Sequence, residues 1–316
     1  MKTDDRGNGY FVERLTENNL PDVEKLHAAV YGKVPPPDFF LKKYNTEFTG
    51  VTHIGYIAYN PDGLPIAYYG VIPCFIQIDD RMVLSAQSAD TMTHPSFRFK
   101  GLFVELSNLT FQLCRDNGIN LLFGFPNQNS LPGAVNKLNW RATEQMECFV
   151  IQSGSFPWHK VLNKLSFLAR GFSTYQKKQL DKHVLAQPGI ANSVFEDGFA
   201  GVYRDNNYLH YKTYTPNYVV KLGNSILWIK IGATLVIGDI LIKPADFDDM
   251  MRHLQQLARK LGIAEIYFHT STGTALHNLF LSRWEPIPSF AVLFQDFKGD
   301  VAIDKIKFTS ADIDTF

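Results

Sequence analysis

The sequence predicts a mixed α/β fold of two tandem units, each a mixed β-sheet flanked by helices, and three observations carry this prediction. β-rich runs separated by turn residues occupy positions 54–93, and a helical run follows at 102–117. The short apolar run 119–125 is typical of a buried parallel strand. The order of these features then recurs in the second half of the chain.

The composition is that of a globular protein. Hydrophobic residues make up 45% and charged residues 20% of the 316 positions, which argues against general disorder and leaves room for two domains. Aromatic residues reach 14%, a high share. It indicates either well-filled cores or an apolar cleft for a long, thin ligand.

Charge and cysteine content limit the classes of partner. Lys+Arg and Asp+Glu both number 31, and without a basic stripe we expect no nucleic-acid partner. No apolar run is long enough to span a bilayer, and the polar N-terminal residues do not resemble a signal peptide. The three cysteines have no metal-ligand spacing. We therefore expect a cytoplasmic protein without a metal site.

Helical and β-rich runs alternate along the chain. Helices are predicted over 14–31, 102–117, 158–180 and 245–261. Strands are predicted over 54–59, 65–72, 75–78, 82–93, 119–125, 199–203, 218–241 and 265–269.

An internal echo indicates a duplication. Laid without a gap, 115–140 and 259–284 share an Arg, a Gly, an Ile and a Trp, and both have the same order of elements. The resulting division is 1–152 for the first unit, 153–189 for a helical linker, 190–300 for the second unit and 301–316 for a C-terminal tail.

The six residues from Arg98 to Phe103 carry the best candidate for a binding site. They connect a strand to a helix through a glycine turn, so the first amides of the helix have no helical acceptor and form an anion site with the helix dipole. Arg98 and Lys100 add positive charge. Neither GxGxxG nor GxxxxGK[ST] is present, so a dinucleotide or NTP loop is not indicated. The alternative is an ordinary basic strand-to-helix turn.

Thr91-Met92-Thr93-His94-Pro95 followed by Arg98-x-x-Gly101 resembles the signature of the GNAT superfamily of N-acyltransferases, whose cofactor loop reads Arg/Gln-x-x-Gly-x-Gly/Ala. The resemblance covers residues 10–152 well and 190–297 in outline, as a degenerate second copy. It implies acetyl-CoA or another acyl-CoA as co-substrate and a small-molecule or peptide amine as acceptor. The amine would attack the thioester directly, in a cleft between the strand that ends at Thr93 and the run 121–125.

The resemblance also implies which residues bind the co-substrate. The strand end would pair with the pantetheine arm, and the loop amides would hold the pyrophosphate. The implied cofactor-binding residues are Thr91, Met92, Thr93, Arg98, Phe99, Lys100, Gly101, Leu102, Phe103, Val104 and Asn127.

The sequence departs from the family pattern at three positions. Phe103 stands where the family has Gly or Ala, so its bulk is expected to crowd the helix against the loop. Val135 falls where the family often has a tyrosine acid, and Gln87 falls near the place of a glutamate base. Catalysis must therefore use other groups.

Asp90 and Ser130 are the candidate catalytic residues. Asp90 precedes the cofactor strand end and would deprotonate the amine, directly or through water. Strand alternation places it on the face opposite Thr91, so this role requires a β-bulge; the alternative is a structural carboxylate. Ser130 would relay a proton to the leaving thiolate, and its alternative role is a helix N-cap.

The second copy has no counterpart of the loop. Aspartates at positions 246, 248 and 249 occupy the helix start, where they favour the helix dipole and repel a pyrophosphate, so one site per chain is expected. Two other functions stay open. One is a non-catalytic acyl-CoA or metabolite binder, which the departures favour. The other is an aminoacyl-tRNA-dependent transferase, whose basic surface would have to lie within 158–183.

Overall fold

The computed structural model describes residues 9–156 and 166–316. The chain forms two compact units, Met1–Thr143 with Ala291–Asp304 and Glu144–Phe290 with Lys305–Phe316. Residues 157–165 of the predicted linker lie outside the described residues. The predicted mixed α/β class, with a mixed sheet flanked by helices, is confirmed.

The first unit begins with a sheet and the helices that pack on it. Its elements are β1 (Phe11–Arg14), α1 (Leu20–Tyr31), α2 (Phe39–Tyr44), β2 (Ile54–Tyr59), β3 (Pro65–Ile78), β4 (Arg81–Thr93), α3 (Leu102–Asp116), β5 (Leu121–Gly124) and α4 (Leu131–Leu138). Neighbouring strands from β1 to β4 are antiparallel, whereas β4 and β5 are parallel. Leu106 and Phe111 of α3 belong to the buried core of this unit.

The predicted opening helix over 14–31 is wrong at its start. The helix begins at Leu20, with a proline in its first turn, and ends at Gly32 in the left-handed conformation. Residues 11–14 instead form β1, which pairs with β2. Its Phe11 ring stacks on Tyr59, with ring centroids 5.2 Å apart. Residues 11–14 form a strand because they pair with β2, which is distant in sequence, and no local sequence pattern predicts such pairing.

β3 is one strand where the sequence predicted two, divided near Pro73. The proline pairs in register with Ala86 of β4. On the other side, pairing with β2 ends at Val71, so the missing N–H of Pro73 costs no hydrogen bond to β2.

The second unit also contains a sheet with helices packed on it. Its elements, with the strands that enter and leave it, are β6 (Arg141–Gln152), α5 (Ser166–Leu180), β7 (Gly201–Val202), α6 (Asn206–Tyr211), β8 (Tyr218–Leu222), β9 (Ser225–Ile231), β10 (Leu235–Leu241), α7 (Phe247–Lys260), β11 (Glu265–Thr270), α8 (Ala275–Leu281) and β12 (Ile287–Asp296). The strand order is β6-β11-β10-β9-β8, and only β10 and β11 are parallel. Met250, Leu254 and Leu257 of α7 are buried in its core.

The chain changes units inside two strands. β6 leaves the first unit after Thr143, and β12 re-enters it at Ala291. There, Leu293 to Asp296 pair antiparallel with β5. Each unit therefore contains two separate stretches of the chain, which a division into consecutive segments does not allow. The domain boundaries given from the sequence stay a prediction. Among the residues that the structure describes, no helix is long and apolar enough to cross a bilayer.

Candidate active site

The candidate site of the first unit is the cleft where β4 and β5 separate. Their parallel register runs from Ser85–Leu121 to Ser88–Gly124, and β4 then continues without β5 to Thr93. The cleft has a volume of about 650 Å³. It is lined by the end of β4, the following loop, the start of α3, the segment 127–137 and the end of α1. A cleft of this size suits a cofactor-sized ligand.

The cleft brings together all the predicted cofactor-binding residues. Its lining includes Thr91, Met92, Thr93, Arg98, Phe99, Lys100, Gly101, Leu102, Phe103, Val104 and Asn127, together with Ser130. Asp90 is not among the described residues that line it. The residues that the sequence predicted from two separate segments therefore lie in the walls of one cleft.

A β-bulge interrupts β4 beside the cleft. Tyr68 pairs with Met92 and Gly70 pairs with Ala89, so Asp90 and Thr91 both lie opposite the single residue Tyr69. Asp90 has φ 51, a left-handed conformation that an aspartate tolerates better than most residues. The bulge that the catalytic hypothesis for Asp90 requires is present at this position.

The carboxylate of Asp90 is held by two residues of α2. Lys43 Nζ lies 2.7 Å from Asp90 Oδ2, and the exposed fractions of the two side chains are 2% and 15%. The Tyr44 hydroxyl donates to the same oxygen at 2.8 Å. Burial, and next the charge of Asp90, raise the pKa of Tyr44 well above its usual value, so it stays a neutral donor. The direct catalytic role of Asp90 stays a prediction.

The loop after β4 has the geometry of an anion cradle, a term used below for the amides of Leu102 and Phe103 at the start of α3. Phe99 and Gly101 both have positive φ, 64 and 81. Gly101 caps α3, and its carbonyl accepts from the amides of Val104 and Glu105 at 3.0 and 3.1 Å. Within the described chain, the amides of Leu102 and Phe103 donate no backbone hydrogen bond. These donors lie at the positive end of a 15-residue helix, which fits a bound pyrophosphate.

Exposed cations flank this cradle. Arg98 and Lys100 are both exposed and line the cleft. The Lys100 ammonium lies 4.8 Å from the centroid of the Phe97 ring, which positions it by a cation–π contact. His94 Nδ1 accepts from the amide of Ser96 at 3.3 Å, so this histidine shapes the loop.

Phe103 does not crowd α3 against the loop, because Gly133 of α4 makes room for its ring. A Cβ on Gly133 would lie 2.9 Å from Phe103 Cε1. The Phe103 ring also packs near Tyr69, with centroids 6.1 Å apart. The bulky residue is therefore accommodated by a glycine on a neighbouring helix, a compensation that the loop sequence does not contain.

Asn127 and Ser130 form one wall of the cleft. Asn127 Oδ1 accepts from the amides of Asn129 and Ser130 at 2.9 and 3.1 Å. The Ser130 hydroxyl donates to the Asn127 carbonyl at 3.3 Å and makes no capping bond to α4. Asn127 therefore shapes the turn, and Ser130 lines the cleft at the N-cap position of α4 without a side-chain capping bond.

The second unit has a corresponding strand separation. β10 and β11 pair in parallel from Leu235–Ile266 to Ile237–Phe268, and a bulge at Gly238 follows. The C-terminal segment packs where the strands separate: Phe308 accepts from the Ser271 amide at 2.9 Å, and a Cβ on Gly238 would lie 2.2 Å from Phe316 Cζ. In this unit the chain itself fills the space beside the bulge.

A buried ion cluster fixes that C-terminal segment. Arg204 lies 2.6 Å from Asp239 on β10 and 2.8 Å from Asp312 in the segment, and all three side chains are fully buried. Lys212 donates to the carbonyl of Ile313 at 2.8 Å. Asp312 and Ile313, which fall within the predicted tail 301–316, therefore contribute to the interior of the second unit.

The start of α7 is acidic, as the sequence indicates. Asp246 occupies the N-cap position without a side-chain capping bond, and Asp248 and Asp249 lie in the first turn. Asp248 pairs with Arg283 at 3.1 Å and Asp249 pairs with Arg252 at 2.7 Å. The hydrogen bond from Arg283 lowers the pKa of Asp248, so this helix start carries negative charge.

A mixed sheet whose two central parallel strands separate beside a helix start is the arrangement that the resemblance to N-acyltransferases implies. Residues 12–142 match the family model described as the acetyltransferase (GNAT) domain. This part of the chain is therefore similar to the GNAT domain, which confirms the resemblance seen over residues 10–152, whereas the degenerate second copy stays a prediction. A search of curated proteins gives no match.

Solved structures show the same fold over most of the chain. A GCN5-related N-acetyltransferase from Kribbella flavida is similar at 12% identity and a TM-score of 0.56, covering 91% of this chain and 72% of that one. One from Anabaena variabilis is similar at 11% identity and a TM-score of 0.54, with coverage of 91% and 73%. Because both matches cover 91% of this chain, the likeness in fold extends beyond residues 12–142.

Sequence analysis missed several residues of the site. Val30 and Tyr31 of α1 line the cleft, as does Lys137, and Lys43 reaches Asp90. No motif or spacing marks these residues, because they meet the loop only through tertiary packing. Lys43 stands in the aromatic stretch 39–44 and is buried in the structure, where its ammonium requires a partner.

Proposed function

We propose that this protein is an N-acyltransferase that transfers an acyl group, with acetyl the first candidate, from acyl-CoA to a primary amine. One observation carries the proposal: the cleft at the end of β4 gathers an anion cradle, two exposed cations and an unpaired strand edge. A pyrophosphate joined to an extended, amide-containing arm matches these features. The acceptor is a small molecule or a peptide amine.

Different residues bind the pyrophosphate and the pantetheine arm of the acyl-CoA. The amides of Leu102 and Phe103 hold the pyrophosphate, and Arg98 and Lys100 offset its charge. Beyond Ser88, β4 has no β5 partner, so its backbone there pairs with the amides of the pantetheine arm. This arrangement directs the thioester toward the point where β4 and β5 separate.

The co-substrate supplies an activated carbonyl carbon on sulfur. In the proposed reaction a C–N bond forms to that carbon as the C–S bond breaks. Asp90 accepts the proton of the attacking ammonium, directly or through water, and Ser130 relays a proton to the leaving sulfur. A backbone N–H of β4 beside the bulge stabilises the developing oxyanion.

One site per chain is part of the proposal. In the second unit, the C-terminal segment fills the space beside the bulge and the start of α7 is acidic. The second unit is thus proposed as a degenerate copy that supports the fold. Its matching parallel strand pair and bulge favour an origin by duplication.

A non-catalytic acyl-CoA binder is the second candidate. Val135, at the position of the family's usual acid, cannot donate a proton and is 38% exposed. Gln87, near the usual base, is buried and cannot accept a proton near neutral pH. This candidate shares the cleft and the ligand with the first and differs from it only in turnover.

A ligand panel followed by an amine screen tests the proposal. CoA and acetyl-CoA should raise the melting temperature, because a ligand that binds only the folded state stabilises it by about 2.7 kcal/mol at 100 times Kd. NAD and ATP are the matched controls. Release of free CoA thiol with an amine would then separate the enzyme from the binder. A shift with NAD or ATP and none with millimolar CoA would contradict both candidates.

A further inference from the structure

Phe99 combines two features that a folded protein ordinarily avoids. Its φ is 64, a left-handed conformation that is an outlier for a bulky side chain and that glycine adopts freely. Its exposed fraction is 105%, so the ring is entirely in solvent. A glycine would form the same turn without strain and without an exposed ring. The stability of the fold therefore gives no reason for a phenylalanine at position 99.

The described chain gives this ring no partner. Within residues 9–156 and 166–316, no aromatic ring and no cation contacts the Phe99 ring. The neighbouring Phe97 ring, in contrast, contacts His94 and the ammonium of Lys100. Tyr31, also exposed and also lining the cleft, packs its ring against His27 at 4.8 Å. Phe99 thus presents an unused aromatic face.

The position of that face is informative. Phe99 lines the cleft between Arg98 and Lys100 and precedes the anion cradle by only a few residues. In a nucleotide, the base is joined to the phosphates through one ribose, so a base lies close to any site that holds its pyrophosphate. Every base has a π-face that stacks on an aromatic ring, and this stacking stabilises binding even at exposed sites.

We propose that the Phe99 ring is the platform on which the adenine base of the acyl-CoA stacks. This inference rests on the proposed function and deepens it, because it assigns the nucleotide end of the ligand to a named residue. The loop then holds the two ends of the nucleotide separately: its amides and cations hold the phosphates, and its ring holds the base.

Two ligands that differ only in the nucleotide test the proposal. Calorimetry would measure Kd for CoA and for 4′-phosphopantetheine, which keeps the arm and one phosphate and lacks adenosine with its two phosphates. Phe99→Ala should weaken CoA binding about 10-fold, or about 1.4 kcal/mol, and leave 4′-phosphopantetheine unchanged. Phe99→Trp should retain CoA affinity within about 2-fold, because a larger ring stacks as well.

Two further variants separate the ring from the backbone. Phe99→Gly relieves the positive φ, so it should melt no lower than the wild type and still lose CoA affinity about 10-fold, since the ring is gone. Phe156→Ala removes another exposed phenylalanine, one that does not line the cleft, and should leave both affinities unchanged.

Two outcomes would overturn the inference while leaving the proposed function intact. One is CoA binding within about 2-fold of wild type in both Phe99→Ala and Phe99→Gly. The other is an equal loss for both ligands, which would indicate a general change in the loop. If the wild type binds neither ligand, the proposed function itself fails.

Discussion

Lys43 Nζ lies 2.7 Å from Asp90 Oδ2, so a buried ammonium on α2 compensates the charge of a carboxylate on the β4 bulge. Tyr44 donates to the same oxygen from the next position along α2. The bulge places Thr91 at the cleft, and the ion pair fixes the residue just before it. The geometry of the cleft is thereby linked to the packing of α2.

Removing the ammonium should destabilise the protein strongly. Lys43→Met leaves the Asp90 carboxylate largely buried and without its cation, at a cost of about 3 kcal/mol. We expect the melting temperature to fall by roughly 6–12 °C. Arg141→Met is the matched control, since Arg141 and Asp304 form an exposed pair at 63% each and should contribute less than about 1 kcal/mol.

A double variant checks the cause of that loss. Lys43→Met combined with Asp90→Asn removes both charges, so it should recover at least half of the lost stability, as expected when a buried pair is replaced as a unit. If Lys43→Met melted like Arg141→Met, the ion pair would not hold the bulge.

The sequence was sufficient where local chemistry decides the structure. The cofactor loop from Arg98 to Phe103 could be located because a strand end, a glycine and a helix start occur in immediate succession. α7 could be predicted within two residues at each end, from its helical spacing and acidic start.

Long-range contacts account for what the sequence did not show. The partners of Asp90 are Lys43 and Tyr44, which are 46 or more positions away. Gly133, which makes room for Phe103, lies on another helix. β12 belongs partly to the first unit although most of the second unit precedes it along the chain. Such contacts depend on the folded topology, and no periodic pattern in a single sequence indicates them.

The loop glycine offers a direct test of the cradle. Gly101→Glu places an anion beside the amides of α3, so we expect CoA affinity to fall at least about 100-fold, measured by calorimetry. A Cβ at Gly101 meets nothing within 4 Å, so the substitution causes no clash at the backbone, although φ 81 strains any residue other than glycine.

Gly101→Gln is the control for the loop glycine. It has the same size and suffers the same strain from φ 81, and it differs only in charge. The glutamine variant should therefore bind CoA clearly better than the glutamate variant. Unchanged CoA affinity in a folded Gly101→Glu protein would place the cofactor elsewhere.

The second unit predicts the binding stoichiometry. Titration with CoA should give about one molecule per chain, because the C-terminal segment fills the second strand separation and α7 starts with aspartates. Asp248→Asn with Asp249→Asn should leave the count at one, since Phe316 still packs against Gly238. A stoichiometry near two in the wild type would show that the second copy binds CoA.

The last prediction is that the Asp90 carboxylate takes part in acyl transfer. Asp90 lies on the bulge directly before Thr91, which lines the cleft, and Gln87 and Val135 supply neither base nor acid. Because Asp90→Asn alone would also remove the charge that faces the buried Lys43 ammonium, the sharper comparison is made in a Lys43→Met background. There, adding Asp90→Asn should lower the acyl-transfer rate by about 100-fold to 10,000-fold, the usual contribution of a general base. CoA affinity should stay within about 2-fold, because the substitution keeps the shape of the bulge.

If rate and CoA affinity instead fell together, Asp90 would act only by holding the bulge in place. A rate within a few-fold of that of Lys43→Met would end the catalytic hypothesis, and the proton acceptor would have to be sought elsewhere.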